Sequence, residues 1–208
     1  MTKEIISNLP LNSKSKVLVV SNPVDVLTYV FLKESNIEKK KIFGLASSLD
    51  TSRFRYLLSR ELSTDQSHIH DALVLGEHGD SMVPIFSRAK KDDIPVLELL
   101  DANQIDSISG NLRFYWKALR EYKSRSVFGI SKRTCDVIEA ITNNSEINIP
   151  SSVLVNGEFG ISDVCMGVPT KISRNGLVEI QEVNLSEEEL EKLRHSATEI
   201  KDDLKGSY

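Results

Sequence analysis

The segment that most constrains this chain runs from Lys16 to Ala46. It holds an uninterrupted apolar run, Val17-Leu18-Val19-Val20, stopped by Ser21-Asn22-Pro23, followed by VDVLTYVFLKES and then KIFGLA. Four consecutive apolar residues without polar alternation fit a strand covered on both faces, as in parallel sheets. After Pro23, the residues Val26, Leu27, Val30 and Phe31 recur at helical spacing. KIFGLA then reads as a second strand, so the unit is strand, helix, strand. Such a unit builds a doubly wound α/β sheet, whose ligands bind beyond the carboxyl ends of the strands. Asn22 lies at one of those ends.

Residues 4–9 read as the end of a helix, and Phe54, Leu57, Leu58 and Leu62 mark another from Thr51 to Leu62. A strand is expected from Ala72 to Gly76, then the loop EHGDSMVP. Residues 92–122 and 131–142 are predicted to be mostly helical, with Gly110 and Ser124-Arg125-Ser126 as interruptions. Beyond Ile149 the pattern turns to β, with SSVLV, DVCMGVPTKIS and GLVEIQEV. Asn175-Gly176 between the last two predicts a hairpin. A capping box from Ser186 to Glu189 starts the last helix, which buries Leu190, Leu193, Ala197, Ile200 and Leu204 at three- and four-residue intervals.

Composition excludes several classes. With 26 basic against 30 acidic residues, interspersed along the chain, there is no basic stripe to track a nucleic acid. The longest apolar runs are too short for a bilayer, and the first residues carry no signal-peptide apolar region. Cys135 and Cys165 have neither CxxC nor Cys/His ligand spacing, which fits a reducing, cytoplasmic setting and argues against a zinc site. His68 and His70, two apart on a possible strand, would share a face as metal ligands, but no carboxylate or cysteine at ligand spacing completes a set. The reading is therefore no metal, no membrane and no nucleic acid.

Four residues could carry chemistry together: Asn22, Asp50, Arg53 and His78. Each also has an ordinary explanation. His78 alone could be a hydrogen-bonded loop residue, although glycines on both sides, in Gly76-Glu77-His78-Gly79-Asp80, permit unusual backbone angles and close approach of a ligand. Asp50 and Arg53, three apart at a helix start, could form a local ion pair. Asn22 before Pro23 is a turn former.

Taken in order, SNPVDVL, LDTSRFRYLL and GEHGDSMVP resemble the motifs of the lactate/malate dehydrogenase family, and RSVFGIS, GEFG and DVCMGVPTKISRNGLVEI agree with it. The chain looks most similar to the lactate-dehydrogenase-like malate dehydrogenases. The resemblance implies a remnant of a doubly wound parallel Rossmann sheet over residues 1–48. Residues 49–208 would then be an α+β substrate domain with antiparallel strands and a long C-terminal helix. It implies hydride transfer between NAD or NADP and a 2-hydroxy acid, with (S)-malate and oxaloacetate favoured and lactate or another 2-hydroxy acid as the alternative. With malate, the implied setting is the tricarboxylic acid cycle. A homo-oligomer, dimer or tetramer, is implied as well.

Residue by residue, the resemblance makes His78 the proton acceptor, Asp50 the carboxylate that orients it, and Arg53 the clamp on the substrate carboxylate. Asn22 would contact substrate and nicotinamide, Val20 would meet the cofactor through its backbone, and Ser126 would stand beside the substrate. The chain departs from the family in having no GxGxxG and only sixteen residues before Val17. The family's mobile loop, with its carbonyl-polarising arginine and substrate-selecting residue, has no counterpart either. Ala46-Ser47-Ser48 also replaces a common Gly-Thr pair. Small residues are retained at Ala46-Ser47-Ser48, so that change implies little; the missing glycine-rich segment and mobile loop imply that these 208 residues are inactive alone, and leave open a non-catalytic module of the same fold.

Overall fold

The computed structural model describes residues 2–45, 47–122 and 127–207. Helix α1 (Thr2–Asn8) leads to strand β1 (Val17–Val19), helix α2 (Val24–Glu34), strand β2 (Ile42–Gly44) and helix α3 (Ser47–Glu61). Short strands β3 (Ile69–His70), β4 (Val74–Leu75), β5 (Val83–Pro84), β6 (Lys90–Lys91) and β7 (Ile94–Pro95) follow. Three helices come next, α4 (Ala102–Arg113), α5 (Tyr115–Tyr122) and α6 (Phe128–Thr142). The chain then forms the long strands β8 (Ile147–Asn156) and β9 (Ser162–Ser173), strand β10 (Gly176–Ile180) and helix α7 (Glu187–Ser207).

The main sheet has the order β1-β2-β8-β9-β10. Strands β1 and β2 are parallel across the α2 crossover, whereas β2, β8, β9 and β10 pair antiparallel. The fold is thus α/β at its N-terminal end and α+β beyond. β1 is the edge of this sheet, so the run read as a fully covered strand is only half-buried at Val17 and Leu18. Its apolar residues pack on α2, but no further strand among the described residues covers its outer side.

Beside the small β1–α2 cluster, two larger cores form among the described residues because the sheet and the small strands each take helices. Helices α2, α6 and α7 pack on β9, filling the larger core with Phe43, Val153, Met166, Leu193 and Ile200. Phe54 and Leu58 of α3 meet Ile69, Val74, Phe86, Ile108 and Leu112 in the second, with the Phe54 and Phe86 rings edge-on at 4.9 Å. Burying each such side chain contributes about 1.5–3 kcal/mol.

The capping box of α7 forms in both directions: Ser186 N–H donates to Glu189 and Glu189 N–H to Ser186 Oγ. Glu189 also accepts from the Ser87 N–H and hydroxyl, which ties α7 to the segment after β5. The hairpin between β9 and β10 turns through Arg174-Asn175, and Gly176 takes the left-handed backbone (φ 100°).

Three local expectations need correction. Residues 92–95, expected to start a helix, instead complete a hairpin of β6 and β7, in which Lys90 pairs with Pro95 and Lys91 with Ile94 across a tight turn. Gly110 lies inside α4, and the break falls at Phe114. His68 sits in a 3₁₀ turn, not on a strand with His70, and its Nδ1 pairs with Asp92 at 2.6 Å. Among the described residues, no helix is long and apolar enough to cross a membrane.

Candidate active site

His78 lies on the loop between β4 and β5, and that loop is hung on the rest of the protein by its main chain. Gly76 and Gly167 of β9 exchange both backbone hydrogen bonds, at 2.8 and 2.9 Å. Only glycine allows this approach. A side-chain carbon at Gly167 would collide with Ser47, and one at Gly76 (φ 88°) would come within 2.6 Å of Ser196 Oγ. The next residue, Glu77, donates its N–H to Ser196 Oγ of α7 at 2.8 Å. Its carboxylate accepts from the N–H and hydroxyl of Ser81, closing the loop on itself. His78 N–H donates to Asp25 Oδ2 of α2 at 2.8 Å.

Asp50 and Arg53 come from the first turns of α3, where three-residue spacing puts them on neighbouring positions of one face. The helix is docked against β4 by the Val74 N–H, which donates to Thr51 Oγ1 at 3.0 Å. This contact sets the height of Asp50 relative to the His78 loop. Asp50, 1% exposed, receives two partners: His78 Nδ1 lies 2.5 Å from Oδ2, and Arg53 Nη1 donates to Oδ1 at 2.9 Å. The guanidinium of Arg53 rests 5.2 Å from the centre of the Tyr115 ring.

Burial of His78 works against its charged form, but the hydrogen bond and charge of Asp50, together with the charge of Asp25, outweigh that and the opposing Arg53. The imidazole's pKa is raised above the ordinary 6.5. Asp25 goes the same way for a different reason. Its carboxyl is pushed up to about 6 by burial, which outweighs the His78 N–H, the nearby Ser152 hydroxyl and the charge of His78.

The structure therefore brings His78, Asp50 and Arg53 into one bonded group. Asn22 stands exposed in the turn between β1 and α2, behind a cis bond to Pro23, and Val20 is 41% exposed at the carboxyl end of β1. Asp25, three residues beyond Asn22, is what joins that turn to the His78 loop. Ser126 lies outside the described residues.

Sequence reasoning passed over Asp25, Ser196 and Tyr115. For Asp25 a signal existed: a carboxylate among the buried Val24, Val26, Thr28 and Tyr29 of α2 is a charge on an apolar face. Ser196 interrupts the apolar stripe of α7 in the same way, between Leu193 and Ala197. Nothing local marked Tyr115.

Residues 47–207 match the lactate/malate dehydrogenase alpha/beta C-terminal domain, and residues 1–44 match the NAD binding domain of the same family. An L-lactate dehydrogenase of Staphylococcus haemolyticus is 43% identical over 187 residues, 88% of this chain and 58% of its own length. A malate dehydrogenase of Chlorobium limicola is 38% identical over 203 residues, covering 96% of this chain and 65% of that protein. The chain thus spans less than two thirds of the length of these relatives.

Among solved structures, the ligand-bound minor L-lactate dehydrogenase of Enterococcus mundtii superposes with a TM-score of 0.91 at 29% identity. It covers 100% of this chain, which spans 68% of it. The malate dehydrogenase of Aeropyrum pernix gives 0.92 at 25% identity, over 99% of this chain and 69% of that one. Profile, sequence and structure agree over almost every residue, and the chain belongs to the lactate/malate dehydrogenase family.

Proposed function

We propose that the chain carries the proton-transfer and substrate-carboxylate half of an NAD-type 2-hydroxy acid dehydrogenase. The observation that carries this reading is one buried carboxylate, Asp50, bonded to both His78 and Arg53. With Nδ1 directed at Asp50, the Nδ1–H donates a hydrogen bond to the carboxylate, and Nε2 keeps its lone pair. Nε2 is then the base for a secondary alcohol. Asp50 fixes the tautomer and stabilises the imidazolium that forms, as an orienting carboxylate does in a hydrolase triad.

Arg53 uses one nitrogen on Asp50 and retains further N–H donors for the C1 carboxylate of a 2-hydroxy acid. Its planar fork can bond such a group through two parallel hydrogen bonds. The Tyr115 ring beneath the guanidinium limits its swing. Asn22 is read as the contact to substrate and nicotinamide, and Ser126 as a polar neighbour of the substrate.

Among the described residues, Val20 and Asn22 suit the nicotinamide side of a dinucleotide. Exposed Val20 supplies an apolar surface at a strand's carboxyl end, and Asn22 a side-chain amide beside it. When bound, such a cofactor supplies the hydride acceptor for alcohol oxidation. We assign residues 1–48 to the nucleotide domain and 49–208 to the substrate domain, with (S)-malate and oxaloacetate as the favoured pair. A cytoplasmic homo-oligomer using NAD, with NADP as the alternative, completes the reading.

The test joins the N-terminal segment of the Chlorobium limicola malate dehydrogenase to this chain. Oxaloacetate and pyruvate reduction are then followed through NADH and NADPH absorbance. The joined protein is expected to reduce oxaloacetate. His78→Ala should remove the activity, and Arg53→Lys should chiefly raise KM. Unchanged turnover in His78→Ala would sink the assignment.

A further inference from the structure

Asp25 is buried to 4% exposure in the first turn of α2, yet it does not cap its own helix, whose N-cap residue is Pro23. Its Oδ2 accepts the His78 N–H at 2.8 Å, while Oδ1 is buried without a hydrogen-bond partner. Ser152, whose hydroxyl also lacks a well-formed bond, lies near enough to favour the charged carboxylate. A single backbone N–H could be served by a neutral Asn or Ser, and a buried carboxylate costs several kcal/mol more in lost solvation. The negative charge itself therefore needs an explanation, and the titratable group it helps is His78.

We propose that Asp25 is a second positioning residue for His78, fixing the loop's main chain through Oδ2 and favouring the imidazolium through its buried negative charge. This rests on the reading of His78 as the base. Two carboxylates then flank the ring from different elements: Asp50 of α3 bonds Nδ1, and Asp25 of α2 bonds the same residue's N–H. A neighbouring negative charge raises a base's affinity for a proton in proportion to the charge and inversely with distance, more strongly where water is excluded.

The remaining groups facing this cluster are Arg53, which opposes protonation of His78, and Glu77, which opposes ionisation of Asp25. Cys165 of β9 is the third. Its thiol is pushed far up by burial and by the charge of Asp25, so it stays neutral. Because Asp25 itself takes up a proton near 6, its support for the imidazolium is present above that pH and fades below it.

The test is an NMR titration of the ¹³C,¹⁵N-labelled chain, whose four histidines are assigned by His→Gln substitution at positions 68, 70 and 195. In Asp25→Asn, the amide oxygen can still accept the His78 N–H, so only the charge is lost. The His78 midpoint is expected to fall by about one pH unit. In Asp25→Ala, the His78 amide proton should also lose its downfield shift. A His78 midpoint unmoved in Asp25→Asn, with the other signals in place, overturns the proposal.

Should the variants fail to fold, the wild-type chain decides. The His78 amide proton must shift over the same pH range as the Asp25 carboxyl carbon, and a flat amide response overturns the idea. Asp50→Asn separates the two layers of the argument. If that substitution leaves the His78 midpoint unchanged, the reading of His78 as an oriented base fails. If it lowers the midpoint while Asp25→Asn does not, only the role of Asp25 is lost.

Discussion

Replacing Asp50 with Asn removes one negative charge from between a buried imidazole and a guanidinium whose side chain is only 11% exposed. Breaking one partner out of a buried pair costs about 3–5 kcal/mol. The lower end applies here, because Arg53 keeps its contact with the Tyr115 ring and the Asn oxygen can still accept its hydrogen bond. At roughly 2.1 cal/mol/K of unfolding entropy per residue over 208 residues, ~3 kcal/mol lowers Tm by about 7 °C.

The loss should also depend on pH. Burial pulls the wild-type imidazole toward its neutral form, but Asp50 and then Asp25 raise its pKa above the ordinary 6.5. That stabilisation is complete below 6.5 and disappears as the pH rises through the folded value. The gap between wild type and variant should therefore be wider near pH 6 than near pH 9. Calorimetric melts at both values measure it.

In the joined enzyme the same substitution should lower kcat by on the order of 10⁴-fold. The Asn amide would donate to Nδ1 and move the ring proton onto Nε2, the nitrogen that must accept. A Tm fall under about 2 °C, or one equal at both pH values, would refute the argument that Asp50 is the shared counter-charge.

Gly167→Ala would press a methyl against Ser47 and to 2.9 Å from the Gly76 carbonyl, splitting the paired backbones that hold the His78 loop. It should cost at least about 1–3 kcal/mol in urea unfolding and perturb the His78 amide signal more than any on α4. Leu193→Ala opens a cavity where α7 meets the main core, at a side chain with 0% exposure. A loss of about 2–5 kcal/mol is expected from the urea midpoint, with an unchanged His78 titration, since Leu193 touches the loop's support and not its charges.

Local patterns in the sequence carried much of this protein. Strand, helix, strand from Lys16, the hairpin before Gly176 and the capping box of α7 were legible because each depends on residues a few positions apart. The Asp50–Arg53 pair was readable for the same reason, since helical spacing alone brings the two together. Residues 92–95 were misread as helix because a two-residue strand leaves no periodicity to count.

The edge position of β1 was hidden too. An apolar run says that a strand is covered but cannot say on how many sides. What the sequence by itself determined is therefore the inventory: which elements form, and which residue types stand at their ends. Only the tertiary structure decided that Asp50 faces His78 across 28 positions, Asp25 across 53, and that Ser196 holds Glu77 across 119. Partners that far apart are selected by how helices and strands pack around a shared core, and no periodicity along the chain encodes that choice.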